Sequence, residues 1–256
     1  MIAEKRRAQI TDLVNKQGSV SVDELLNIFD VSRMTLWRDL KELEIKGALI
    51  RAHGGALKID ELDEQEEEFS LRRKEYLNEK RKIARFAAKN FVKDSDIIFL
   101  DGGSTVLEMI PHLKQTNLTI LSNGLNTILY ASKFLPHLNV IGCGGILRKP
   151  SFTFVGHEAE EFFGRYKVDT AFISGTGITI EDGIMDPHPL EMAVKKIMCN
   201  NAKNVVALID SSKFGKRSLI TCIKIEEIDY LVTDAQAPKN IIDSIKSKKV
   251  EVKVLN

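Results

Sequence analysis

Ser32-Arg33-Met34-Thr35-Leu36-Trp37-Arg38-Asp39-Leu40-Lys41-Glu42-Leu43 reads as one capped helix with two unlike faces. Leu36, Leu40 and Leu43 fall at i, i+4 and i+7 on one stripe, and Arg33, Met34, Trp37, Arg38 and Lys41 form a contiguous arc on the other side. Ser32 has the chemistry of an N-cap, its hydroxyl accepting an amide hydrogen from the first turn. A cationic face in front of a leucine seam suits a major groove about 12 Å wide, where cations meet phosphates and guanine edges and apolar atoms meet thymine methyls.

The flanks have a matching order. Ile10, Leu13 and Val14 bury one stripe of a first helix, which Gln17-Gly18 stops. Ser19-Val20-Ser21-Val22 alternates like a short strand, and a second, two-turn helix starts near Asp23 with Leu25, Leu26 and Phe29 inward. Beyond the capped helix, Gly47 is a breaker. Ala48-Leu49-Ile50-Arg51 and Ala56-Leu57-Lys58-Ile59 are strand-like about the turn Ala52-His53-Gly54-Gly55. This predicts a winged helix-turn-helix, with Gly54 and Gly55 letting backbone approach a phosphate. The predicted contacts to double-stranded DNA are Ser32, Arg33, Met34, Thr35, Trp37, Arg38 and Lys41 on the helix and Arg51, His53, Gly54 and Gly55 in the wing. The competing reading is a small helical bundle that binds protein; the order of helix, short helix, capped basic helix and glycine hairpin favours DNA.

Length and composition set the frame. At about 100–200 residues per domain, a chain of 256 residues favours two domains. With 43% hydrophobic and 29% charged residues and no long apolar run, it reads as an ordinary globular protein with no membrane span. No secretory signal pattern precedes the first helix. Cys143, Cys199 and Cys222 are odd in number and widely spaced, which points to reduced thiols and a cytoplasmic location. The net charge of +1 decides nothing, but its distribution does: cations crowd the first 58 residues and an acidic run fills 60–68. The expected organisation is a DNA-binding domain over 1–58, an acidic linker over 59–75 and an α/β domain over 76–256.

In the last segment apolar runs alternate with helical patterns, as in a mostly parallel sheet covered on both faces. The strand candidates are 97–100, 118–121, 139–141, 170–173, 205–209, 230–233 and 250–254, and the helix candidates 79–91, 105–113, 125–134, 158–163, 190–202 and 239–246. Small polar loops follow the strands: Asp101-Gly102-Gly103-Ser104-Thr105, Ser122-Asn123-Gly124, Gly142-Cys143-Gly144-Gly145, Gly175-Thr176-Gly177 and Asp210-Ser211-Ser212-Lys213. In a parallel sheet these emerge at the carboxyl edge, where ligands of open α/β sheets bind. Ser104 and Thr105 open a helix whose free amides and dipole favour an anion, and Arg148 and Lys213 can add positive charge. The predicted effector residues are Asp101, Gly102, Gly103, Ser104, Thr105, Ser122, Asn123, Gly144, Gly145, Arg148, Gly175, Gly177, Glu191, Asp210 and Lys213. Glycine turns also close any α/β fold, so it is their number that carries this reading.

These stretches resemble the DeoR family of bacterial regulators. The likeness lies in Arg6-Arg7…Ile10, Gly18 to Leu25, Val31 to Leu40 and Leu49 to Ala56, and later in Asp101-Gly102-Gly103-Ser104-Thr105, Asp182-Gly183, Asp210 to Gly215 and Thr233-Asp234. In the family's Thr-Ile-Arg-Arg-Asp-Leu pattern, Trp37 replaces the first arginine. Trp37 then either touches sugar or thymine methyl or packs against the wing. The resemblance implies a phosphosugar-isomerase-like sensor domain and control of a carbohydrate operon, as a repressor, by a phosphorylated sugar or polyol. Gly103 to Pro111 and Met198 to Ala202 look closest to glucitol-operon repressors, which suggests a hexitol phosphate. A homo-oligomer, dimer or tetramer, is expected on a repeated or palindromic site.

Other chemistry fares worse. His53, His112, His137, His157 and His188 are scattered, and His188 with Glu191 lacks a third ligand, so no metal is expected. No Gly-x-Gly-x-x-Gly or Walker pattern calls for a nucleotide cofactor. Cys143 reads as a packed residue. The alternative function is a sugar-phosphate isomerase-like enzyme using Asp182, Glu191 or Lys213 for proton transfer.

Overall fold

A computed structural model describes residues 3–46, 48–52, 54–57, 69, 71–134 and 136–256. The chain divides into two compact units, Met1–Glu67 and Glu68–Asn256.

The first unit is a winged helix-turn-helix. Helices α1 (Ala3–Gln17), α2 (Val22–Ile28) and α3 (Arg33–Ile45) pack around Ile10, Val14, Leu25, Leu36 and Leu40, all fully buried. Two serines set the starts of the short helices. Ser21 caps α2 reciprocally with Glu24, and the Ser32 hydroxyl accepts from the Thr35 amide. Strands β1 (Ser19–Ser21), β2 (Ile50–Ala52) and β3 (Gly55–Leu57) form an antiparallel sheet in the order β1-β3-β2.

The second unit is built on a seven-stranded sheet. Its strands are β4 (Ile97–Leu100), β5 (Leu118–Ser122), β6 (Leu138–Gly142), β9 (Val168–Ile173), β12 (Ala202–Leu208), β14 (Tyr230–Asp234) and β15 (Glu251–Leu255). The order is β15-β14-β12-β9-β4-β5-β6, and all six pairings are parallel. Ile98, Leu100, Ile120 and Phe172 pack on one face with α4 (Leu77–Asn90), α5 (Ser104–Leu107) and α6 (Leu125–Ala131). Phe99, Leu121 and Ala171 pack on the other with α7 (His157–Gly164) and α8 (Pro189–Asn200). Ala207 and Leu231 extend that second face to α9 (Lys239–Ser247). Each face is therefore apolar, which explains the unbroken hydrophobic runs in sequence.

Three features differ from expectation. The helix expected over 105–113 is one four-residue turn, α5, followed by a 3-10 turn at Ile110–His112. Pro111 lacks the amide hydrogen that a continuing α-helix would need. Two small antiparallel additions were absent from the sequence reading: the hairpin β7 (Ile146–Arg148) and β8 (Thr153–Val155), and a sheet of β10 (Gly177–Thr179), β11 (Gly183–Asp186) and β13 (Ile220–Ile223). The end of the expected linker also belongs to the second unit. Residues 71–74 are helical, Arg72 Nη2 donates to Pro150 O at 2.7 Å, and the Phe69 ring meets Phe152 edge-on.

Candidate functional site

In the first unit, buried charge holds α3 from behind. Asp39 is 1% exposed and receives Arg6 Nε on one oxygen and Arg7 Nε on the other, each at 2.7 Å; Arg7 also reaches Glu42. With the leucine seam, this fixes the rotation of α3 against α1. Its opposite face is open: Arg33, Met34, Arg38 and Lys41 are exposed, Met34 at 74%. Arg33 pairs at the surface with Asp23.

The remaining predicted contacts divide. Ser32 is exposed but spends its hydroxyl on the cap, where it also meets the Thr35 hydroxyl at 2.9 Å. Trp37 is half-buried against the core, with the Arg51 guanidinium 5.6 Å above its ring and Arg51 Nε on Glu44 at 2.9 Å. This contact is the wing packing that one of the two readings of Trp37 expects. Gly54 is exposed at the wing tip with φ of +92°. Gly55 corrects expectation: it is buried, and a Cβ there would collide with the Val20 carbonyl, so its lack of a side chain serves β1–β3 pairing and not a phosphate. His53 lies outside the described residues.

In the second unit, strand order decides where a ligand fits. From β4 the chain proceeds through β5 to β6 on one side, while β9 lies on the other, so the loops after β4 and β9 part in opposite directions. Such a parting opens a crevice at the carboxyl edge. A cleft of about 280 Å³ sits there. Of the predicted effector residues, Asp101, Gly102, Gly103, Ser104, Thr105, Arg148, Gly175, Glu191 and Lys213 line it. A side chain on Gly102 would collide with Thr153, so the first loop can close on β8 only with glycine there.

Others do not reach the cleft. Ser122 is buried, donating to Leu100 O and accepting from the Gly124 amide. Asn123 holds β8 through Phe154 O. Gly144 and Gly145 lead into β7, Gly177 begins β10, and Asp210 caps the turn that carries Lys213. These six residues shape the loops around the cleft without facing it. The four-residue α5 also leaves little helix dipole, so the cations carry the attraction for an anion.

The cleft includes Arg72, Ser151, Thr153, Ser174, Thr176, Asp186 and Lys195, none of which is among the predicted effector residues. Two networks organise it. At the base, the Lys195 ammonium lies 3.1 Å from Asp101 and 2.5 Å from Asp186, and donates to Ser174 O at 2.6 Å. Burial pulls the Lys195 pKa down, but Asp101 and Asp186 outweigh it and hold it well above the ordinary value. Burial pushes Asp101 up against the pull of Lys195. At the rim, Glu191 Oε1 accepts from Arg148 Nη1 at 2.8 Å, Thr153 at 3.3 Å, and the Ser151 hydroxyl. Arg148, Ser151 and Thr153 all belong to the β7–β8 hairpin, whose short strands give little periodic signal.

Cys143 is buried against Phe99 and Phe163, and burial pushes its thiol up to about 12, which removes nucleophilic character at neutral pH. Among the described residues no group of three or more metal-ligating side chains forms, and no helix is long and apolar enough to cross a membrane.

The comparisons with known proteins match both units. The DeoR-like helix-turn-helix domain matches residues 6–61, and the DeoR C terminal sensor domain matches 75–235. This chain belongs to the DeoR family of transcriptional regulators. The regulator is 33% identical over 98% of its length to the uncharacterized HTH-type transcriptional regulator YulB of Bacillus subtilis, covering 96% of that protein. It is 33% identical to the lactose phosphotransferase system repressor of Staphylococcus epidermidis, over 90% of this chain and 91% of that one. Ribose 5-phosphate isomerase A from Methanocaldococcus jannaschii overlaps 56% of each chain with a TM-score of 0.40 and 22% identity, too partial to bear on chemistry. The regulator therefore has a DNA-binding half and an effector-sensing half.

Proposed function

We propose that this regulator represses a carbohydrate-utilisation operon and that a phosphorylated sugar or polyol in the β4–β9 cleft sets its affinity for operator DNA. One observation carries the reading: cations, carboxylates and hydroxyls converge on a single small cleft. Arg72, Arg148 and Lys213 offer positive charge, while Asp101, Asp186, Glu191, Ser104 and Thr176 offer partners for hydroxyls. A polyol phosphate presents the complement, one anion and several hydroxyl groups. An apolar ligand would leave these groups unpaired, which is costly. The name of the lactose phosphotransferase system repressor of Staphylococcus epidermidis is in keeping with this class.

On DNA, we assign groove contact to Arg33, Met34, Arg38 and Lys41, which share the open face of α3. Ser32 and Thr35 serve as the cap, and Arg51 with Trp37 stiffens the wing. The effector acts by its differential affinity for two arrangements of the DNA-binding units in a homo-oligomer, worth typically about 1–3 kcal/mol. We read the sensing half as non-catalytic and the protein as cytoplasmic.

The test is a thermal-shift panel of sugar and polyol phosphates, hexitol phosphates included, beside their unphosphorylated forms. Phosphorylated compounds should stabilise the wild type and leave a Ser104→Ala, Lys213→Ala double variant unmoved. Equal response of the double variant would put the effector elsewhere. Turnover of aldose or ketose phosphates would favour the isomerase reading.

A further inference from the structure

The polypeptide enters the second unit through a short strap whose described residues are 69 and 71–76. It comprises one helical turn at 71–74, closed by Glu75 N on Leu71 O at 2.9 Å. The strap is fastened to both walls of the cleft. On one side, Arg73 Nε meets Glu108 Oε1 at 2.7 Å, and Glu108 is 3% exposed. Arg81 reaches the other Glu108 oxygen at 3.2 Å, and the Arg73 guanidinium lies 5.4 Å over the Tyr130 ring. Glu108 directly follows α5, whose Ser104 and Thr105 line the cleft. On the other side, Arg72 Nη2 donates to Pro150 O at 2.7 Å and the Phe69 ring abuts Phe152. Pro150 and Phe152 flank Ser151 in the turn of the β7–β8 hairpin. Lys80, 1% exposed, grips the strap from below by donating to Arg72 O.

Arg72 itself lines the cleft, and its Nε is buried with no hydrogen-bond partner among the described residues. Buried donors are seldom left unpaired. A guanidinium that lines a cleft and keeps part of its donor capacity unpaired is well matched to a phosphate oxygen, which it takes through a charge-assisted bond. We propose that Arg72 is an anion ligand of the cleft, so that a phosphate-bearing effector binds the strap directly and thereby grips the chain at the point where it leaves for the DNA-binding unit. This rests on the sugar-phosphate reading above and adds the route by which occupation is felt. The phosphate draws Arg72 toward Lys213 and Arg148, and the register of residues 71–76 on the sensing unit becomes a function of ligand. An effector without an anionic group has no hold on the strap.

The experiment uses the full-length protein, with inorganic phosphate and the tightest sugar phosphate of the panel as probes. Arg72→Ala should weaken both at least tenfold by calorimetric titration, and Arg72→Lys should recover part of that loss because it restores charge. In the wild type, each probe should slow trypsin cleavage after Arg72, Arg73 and Lys74; in Arg72→Gln, which keeps a donor for Pro150 O but no charge, that protection should vanish. Melting temperatures without ligand report whether the variants fold. Wild-type affinity in Arg72→Ala and Arg72→Gln, alongside loss in the Ser104→Ala, Lys213→Ala variant, would overturn the proposal and leave the site reading intact. Absence of binding to the wild type would overturn the sugar-phosphate reading itself, and this proposal with it.

Discussion

Arg148 and Glu191 meet across the rim of the cleft, Nη1 to Oε1 at 2.8 Å, although they lie 43 positions apart in the chain. The same carboxylate oxygen holds Ser151 and Thr153, so the hairpin and the start of α8 are clasped through one atom. The pair neutralises the charge that the proposed phosphate would use. Under that proposal, binding would break or share it.

Glu191→Gln should act in opposite directions on two ligands. Freed of its counter-charge, Arg148 should bind inorganic phosphate about threefold to fivefold more tightly, the scale of one partly exposed ion pair. A sugar phosphate should bind more weakly, because the glutamine is a poorer acceptor for ligand hydroxyls. Parallel titrations check this; equal changes for both ligands would deny Glu191 a hydroxyl-binding role.

Lys195→Met should destabilise the sensing unit by about 3–5 kcal/mol, since Asp101 and Asp186 would remain buried without their cation. The sign with pH is defined. In the wild type the folded Lys195 pKa is raised, so its contribution is full below the unfolded value and is lost only as pH rises through the folded one. Neutral pH lies on the plateau. In Lys195→Met, Asp101 loses the cation that opposes the upward push of burial, so the variant should gain stability as pH falls toward 5, a trend read by denaturant melts at several pH values.

Arg38→Ala should weaken binding to an operator selected from random DNA by at least about 1 kcal/mol, and wild-type affinity should fall steeply with salt. Gel-shift titration measures both. Unchanged affinity would remove the open face of α3 from the interface.

Asp39→Asn should lower the melting temperature of the DNA-binding unit and its operator affinity together, because Arg6 and Arg7 then both lose the buried carboxylate they share. Asp39 faces away from the groove. A variant that kept its melting temperature but lost DNA would show that Asp39 acts on DNA and not on the seating of α3.

Much of the fold was legible. Leucine spacing at 36, 40 and 43 and the Ser32 cap announced α3, and the apolar runs announced all seven sheet strands to within a few residues. Local signals also failed locally. Pro111 stopped a helix that periodicity alone would extend, and the three-residue strands β7, β8 and β10 are too short for a period to register. The Asp39 clasp was invisible because a lone acid on a helix usually faces water; only Arg6 and Arg7 of α1, brought up from more than thirty positions away, make it buried.

The sequence alone determined where binding chemistry is concentrated: a cationic arc set off by leucines, and small polar loops after apolar strands, both consequences of chain periodicity and side-chain chemistry. Which loops form a site was decided by tertiary structure. Five loops reach the carboxyl edge, but the sheet order parts the chain only between β4 and β9, so Asp101 to Thr105 face Ser174 to Thr176 while Ser122 and Asp210 turn to structural work. Strand order depends on long-range pairing free energy, and no window of sequence contains it.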